Sequence, residues 1–281
     1  MSKDKARRER AALRPGARPA RKRFLQATAV VGAGLAVGGP VARAGLAAAA
    51  PTARPAVELP AAAACNESVQ DLVDTALVAE RLAVTFYHAG LSERAILRDK
   101  RIAGSSANPN AVARDGDPGN VAYLQAALDQ EDKHAHLLQG LGARTAHARF
   151  YFPAATFEEL GYTTHPGTFL WVLDHLETAF IGAYLAAAAR FDVLGRGDLA
   201  LLAMRILGVE SEHRALYRVI AGDEPANNVT VEVSSFACVG DVATALRPFL
   251  TGEGLPGGGV ARALPTQAQI ARAVGRNKSG Y

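Results

Sequence analysis

Four long segments of the chain repeat apolar residues every three to four positions and contain no proline. This period is that of one face of an α-helix, and the abundant alanine favours helix further. We therefore predict an all-α fold in which the remaining residues form connections and tails. The predicted helices span, in chain order, residues 66–90, 120–141, 168–194 and 198–221.

The connections between these helices differ in length. Only Gly195-Arg196-Gly197 separates the third helix from the fourth, so we expect this pair to run antiparallel. Residues 92–119 form a long polar connection, and residues 142–167 join helices two and three. We expect an irregular C-terminal tail over residues 222–281 that packs on the bundle and includes a strand-like segment at 229–233.

Six polar residues interrupt the apolar stripes, and two of the helices carry a Glu-x-x-His motif whose ends share one helix face. A carboxylate in a helical core loses much solvation, whereas two divalent cations would balance four carboxylates and bind two neutral imidazoles. We interpret the six as ligands of a dinuclear metal site. The alternative is solvent-facing charges or ion pairs with arginines. The residues are Glu80, Glu131, His134, Glu177, Glu210 and His213.

The charge of the chain is divided between a basic leader and a mildly acidic remainder. A net charge of +4 and a pI of about 9.2 would by themselves suggest nucleic acid or an anionic membrane as partner. Residues 1–44, however, carry 11 basic and two acidic residues, and the remainder carries 20 basic and 25 acidic residues. Because no basic stripe or motif accompanies the predicted helices, we expect no nucleic-acid function.

Residues 1–44 have the order of an export signal: a basic segment, an apolar run and a small-x-small cleavage site at Ala42-Arg43-Ala44. Within them, Arg21–Leu25 resembles the twin-arginine signal, with Lys22 in place of the second arginine. We expect export by this route, with an Ala- and Pro-rich spacer over residues 45–65. The alternative is an uncleaved anchor, but the apolar run is shorter than the ~20 residues of a spanning helix, so we expect no stable membrane span in the mature chain.

The order of the six polar residues resembles that of the ferritin-like di-iron and di-manganese carboxylate superfamily. Within it, Glu131–Leu138 is similar to the second helix of exported bacterial ferritin-like domain proteins, and the resemblance covers residues 66–221. The resemblance implies a ferritin-like four-helix bundle with a long crossover between helices two and three.

The same resemblance assigns a role to each polar residue. Glu80 and Glu177 would be single carboxylate ligands from helices one and three. The two Glu-x-x-His motifs would each supply a bridging carboxylate and a histidine that caps one metal, namely Glu131 with His134 and Glu210 with His213.

Five further residues have positions that suggest supporting roles. Asp174 lies one helical turn from a predicted ligand and could hydrogen-bond a ligand imidazole. Tyr87 and Tyr184 each follow a single glutamate ligand by seven residues, which suggests gating or electron transfer, with an ordinary core position as the alternative. Cys65 and Cys238 flank the bundle, and in an oxidising compartment they could pair, although sequence fixes no distance between them.

The resemblance implies two Fe or two Mn ions per chain that react with dioxygen or hydrogen peroxide. Ferroxidase-type iron oxidation is the leading expectation. Manganese catalase-like peroxide removal and a non-catalytic metal-storage or structural bundle are the alternatives, and a homo-oligomer stays open.

Overall fold

The computed structural model describes residues 65–103, 120–223, 225–227 and 234–275. The predicted export signal, the spacer before Cys65 and the strand-like segment at 229–233 lie outside these residues. The described elements are, in chain order, α1 (Val69–Ser92), α2 (Arg94–Leu97), α3 (Lys100–Ala103), α4 (Val121–Gly140), β1 (Arg149–Pro153), a short 3₁₀ helix (Ala154–Phe157), α5 (Phe169–Val193), α6 (Gly197–Ala221), α7 (Val239–Thr251), β2 (Gly259–Ala263) and α8 (Gln267–Val274).

The four predicted helices correspond to α1, α4, α5 and α6, and the mostly helical fold confirms the all-α prediction. Local signals explain the ends of these helices. The Ser68 hydroxyl accepts a hydrogen bond from the backbone of Asp71, whose carboxylate accepts one from the backbone of Ser68, which is a capping box. Gly222, with a φ of 83°, ends α6 in the left-handed conformation that favours glycine.

The four long helices pack as two pairs, α1 along α4 and α5 along α6. Their buried apolar side chains form two clusters. One contains the stacked rings of Phe86 and Phe169, and the other contains Leu77, Phe191 and Ile206. On α1, α4 and α6 the polar residues of the predicted site stand between residues of the two clusters, so the candidate site interrupts an otherwise apolar interior.

The crossover and the tail are more regular than the sequence suggested. Within the crossover, β1 pairs antiparallel with β2 of the tail, in a register that runs from Arg149 opposite Ala263 to Pro153 opposite Gly259. The tail adds α7, which contacts β1, α5 and α1, and α8, which contacts α4 and α1. The connection after α1 also begins with the short helices α2 and α3.

A disulfide between Cys65 and Cys238 joins the residue just before the bundle to the residue that precedes α7. The two Cα atoms are 5.6 Å apart. The adjoining backbone is held as well, because Glu67 accepts a hydrogen bond from the backbone of Gly240 at 2.8 Å. Within the described ranges, no helix has the length and hydropathy of a membrane span.

Candidate metal centre

The four long helices bring all six predicted ligands together in the interior of the bundle. Glu80 comes from α1, Glu177 from α5, and each Glu-x-x-His motif comes from α4 or α6. The three glutamates of α4, α5 and α6 are fully buried, and the other three residues are at most 4% exposed. A helix that places a polar side chain on its apolar stripe must bury that side chain, which explains why the helical phase of the sequence identified these residues.

The six residues form two groups of four that share two carboxylates. One group contains Glu80 and His134, and the other contains Glu177 and His213. Glu131 and Glu210 belong to both groups, and within each group the potential ligand atoms lie within 4.8 Å of one another. Two adjacent groups of ligand atoms that share two carboxylates could hold a dinuclear metal site.

Both imidazoles direct Nδ1 toward the carboxylates. Nδ1 of His134 is 3.4 Å from oxygens of Glu80 and Glu210 and 3.6 Å from Glu131. Nδ1 of His213 is 3.0 Å from Glu131, 3.6 Å from Glu210 and 3.9 Å from Glu177. Each histidine nitrogen therefore faces carboxylates from three different helices.

A family model described as a ferritin-like domain matches residues 68–223. That range is more than half of the chain and includes α1, α4, α5 and α6 in full. The chain belongs to the ferritin-like family. No curated protein and no solved structure matches the chain significantly.

Burial and the interactions between carboxylates and imidazoles determine the pKa values in this ferritin-like site. Burial raises the pKa of Glu80 and Glu177 well above the usual range of a carboxyl. Burial also acts to raise the pKa of Glu131, but the neighbouring imidazoles outweigh it and lower that pKa. For His134 and His213 burial acts to lower the pKa, and the surrounding carboxylates raise it instead. The cluster therefore stabilises positive charge, whether as protons or as cations.

The two tyrosines singled out in the sequence contact the carboxylates reciprocally. Tyr87 of α1 donates a hydrogen bond to Glu177 of α5 at 2.5 Å. Tyr184 of α5 donates one to Glu80 of α1. Burial, reinforced by nearby carboxylates, raises the pKa of both phenols, so they remain donors. Each tyrosine thus fixes one oxygen of the single carboxylate on the facing helix, while the predicted roles in gating and electron transfer stay predictions.

Asp174 has other partners than the expected ligand imidazole. Its carboxylate accepts hydrogen bonds from the Tyr217 hydroxyl and from Arg218. The residue that contacts a ligand imidazole is Gln130, whose Oε1 lies 2.8 Å from Nε2 of His213. A neutral imidazole that donates its Nε2 proton to this amide oxygen would carry on Nδ1 the lone pair that a metal ion needs.

The donor atoms of the site fit divalent metal ions. Carboxylate oxygens with imidazole nitrogens are ligands that suit iron and manganese. Buried polar atoms are normally hydrogen-bonded, so a cluster of buried polar atoms without hydrogen bonds indicates a site for a bound ion. In the described part of the chain, the buried atoms that have no hydrogen-bond partner include both carboxylate oxygens of Glu131 and Glu210, Oε2 of Glu177 and Nδ1 of His134 and His213.

Proposed function

We propose that this ferritin-like protein binds two iron ions at the six-residue site and oxidises Fe(II) with dioxygen or hydrogen peroxide. The observation that carries the proposal is the pair of four-residue groups that share Glu131 and Glu210. A four-carboxylate, two-imidazole set offers a charge of −4, which two divalent cations balance. Burial of that charge without compensation would be strongly unfavourable.

The six residues would bind the two metal ions in different ways. Glu131 and Glu210 would bridge both ions, and His134 and His213 would each bind one ion through Nδ1. Glu80 and Glu177, each held by a tyrosine hydroxyl, would each bind one ion. Two Fe(II) ions held by these residues would together supply two electrons to the oxidant, which would be reduced without release of a one-electron radical.

The surroundings of the site limit access of bulk water. All six residues are at most 4% exposed, and apolar clusters flank them along the helices. A preorganised site with little exposure to solvent strengthens charge interactions and suppresses side reactions. Iron oxidation rather than passive storage is therefore the chemistry that we assign to the site.

The test is Fe(II) oxidation by the purified chain after anaerobic loading. We expect two Fe(II) to be bound and oxidised per chain, and Glu131→Ala and Glu210→Ala to abolish both. Glu212→Ala is the matched control because Glu212 lies in the same motif but is exposed. Two bound ions without oxidation would favour storage, and rapid peroxide turnover by a manganese-loaded protein without iron would favour a catalase.

Export forms a separate part of the proposal. The order of basic, apolar and small residues in 1–44 supports it, as does the disulfide between Cys65 and Cys238, because disulfides persist in oxidising compartments. Fractionation of cells followed by N-terminal sequencing tests it. A mature chain in the exported fraction that begins near residue 45 is expected, and a full-length cytoplasmic chain would contradict export.

A further inference from the structure

Two cavities along α4 and α6 approach the candidate centre from different sides. The first, of about 350 Å³, reaches His134 and is walled mainly by Leu137, Leu202, Ile206 and Val209. The second, of about 230 Å³, reaches His213. Its wall carries several polar groups, among them Tyr123, Gln130, Glu212 and Tyr217. We call them the apolar cavity and the polar cavity.

One sequence difference between the two Glu-x-x-His motifs accounts for part of this asymmetry. Gln130 precedes Glu131 on α4, crosses to α6 and contacts the outer nitrogen of His213. The residue at the same position before Glu210 is Val209, which offers no polar atom and lines the apolar cavity beside His134. The His213 end of the centre is therefore held by a hydrogen bond and the His134 end faces an apolar space.

We propose that the apolar cavity is the entry for dioxygen and that the oxidant arrives at the His134 end of the centre. This inference rests on the proposed function. It adds that dioxygen is the oxidant and that it enters from the His134 side. Dioxygen is small and apolar, so it partitions into an apolar cavity without losing hydrogen bonds. Water and hydrogen peroxide must give up hydrogen bonds to enter such a space, whereas the polar cavity supplies partners for them.

The residues around the apolar cavity fit this role. The cavity is lined both by the buried His134, which is 4% exposed, and by Leu137 of α4, which is 42% exposed, so it extends from solvent to a predicted ligand. Besides His134, its polar residues are Lys133 and Arg205. The ammonium of Lys133 forms an ion pair with the carboxylate of Asp129 at 2.9 Å, which balances the lysine charge. The remaining wall is aliphatic.

The first test uses xenon, which fills apolar cavities and requires no metal. Crystals of the full chain under xenon are expected to show the gas beside Val209 and Ile206. Val209→Trp, which places an indole in the apolar cavity, should remove this xenon site. Leu216→Trp is the matched control, because Leu216 lies two turns further along α6, is half-buried like Val209 and lines the polar cavity.

The second test measures rates after anaerobic loading with Fe(II). Val209→Trp is expected to slow oxidation by dioxygen by roughly tenfold or more, with oxidation by hydrogen peroxide and the metal stoichiometry unchanged. Leu216→Trp should leave the reaction with dioxygen at the wild-type rate. No xenon in the wild-type apolar cavity, a Val209→Trp variant as fast as wild type with dioxygen, or equal slowing by both variants would overturn the inference.

Failure of the proposed function has a different signature. If the wild-type chain binds no pair of metal ions, the proposed function fails before any rate is compared. The xenon experiment in the same crystals still decides whether the cavity admits a small apolar molecule.

Discussion

Replacement of Glu177 by glutamine is expected to stabilise the metal-free protein while weakening its binding of metal. Glu177 is fully buried, and its burial raises the pKa of the carboxyl, with His213 partly opposing and the neighbouring carboxylates adding to the rise. Glutamine has nearly the same shape, and its amide oxygen can still accept the hydrogen bond that Tyr87 donates at 2.5 Å. The substitution therefore removes a buried ionisable group and keeps its main contact.

The pH dependence of this effect follows from linkage. The pKa of Glu177 is higher in the folded protein than its ordinary value of 4.5. Its contribution to stability is therefore lost as pH rises from the unfolded pKa toward the folded one, by about 1.4 kcal/mol per pH unit. The glutamine variant has no such loss. The two metal-free proteins should differ little near pH 4, and at pH 7 the variant should be more stable by about 1–3 kcal/mol.

Urea unfolding at several pH values, followed by circular dichroism, measures this difference. Addition of Mn(II) at 100 times its Kd should offset most or all of the variant's advantage, because each bound ion stabilises the folded state by about 2.7 kcal/mol. Wild type gains this stabilisation from both ions, whereas the variant loses the part that comes from the ion beside His213. Glu212→Gln, on the exposed side of α6, is the control. A variant less stable than wild type without metal at pH 7, or one that gains equally from Mn(II), would refute the reasoning.

Two further predictions concern stability. The disulfide between Cys65 and Cys238 spans a sequence separation of 173 residues. Replacement of both cysteines with alanine should lower the free energy of unfolding, measured in urea, by about 3–5 kcal/mol. A decrease of less than about 1 kcal/mol would contradict this. Gly90→Ala should destabilise by about 1–3 kcal/mol, because a Cβ there would lie 2.4 Å from the ring of Phe169. Gly208→Ala, whose Cβ would meet nothing within 4 Å, should instead raise the thermal midpoint; equal effects at the two glycines would argue against this packing.

The helices and the six residues of the centre could be predicted because their signals are local. Ser68 with Asp71 forms a capping box that is visible in the sequence, and the Gly195 turn joins two helices in a short loop. The six polar residues stand on apolar stripes, so the helical period alone predicts that they point inward. Burial of a carboxylate in that position then argues for a cation.

The contacts around the centre depend on how the helices are rotated against one another, which no local signal reports. This rotation pairs Tyr87 with Glu177 rather than with a group on its own helix. It also makes Gln130, and not Asp174, the residue that contacts one of the two imidazoles. Sequence spacing placed both tyrosines on the correct face but could not name their acceptors.

The regular structure of the tail was missed for two different reasons. Pro248 lies inside α7, and proline normally argues against a helix interior. The strand β2 acquires its pairing from β1, more than 100 residues earlier in the chain. The final helix, α8, did carry a readable signal, since Thr266 and Gln269 form a capping box.

The location of bound metal in crystals of the iron-loaded chain tests the central claim most directly. Anomalous diffraction at the iron edge is expected to show two peaks between Glu131 and Glu210, one beside Nδ1 of His134 and the other beside Nδ1 of His213. A single peak, peaks held by other side chains, or no peak in protein loaded anaerobically with Fe(II) would contradict the assignment of a dinuclear centre.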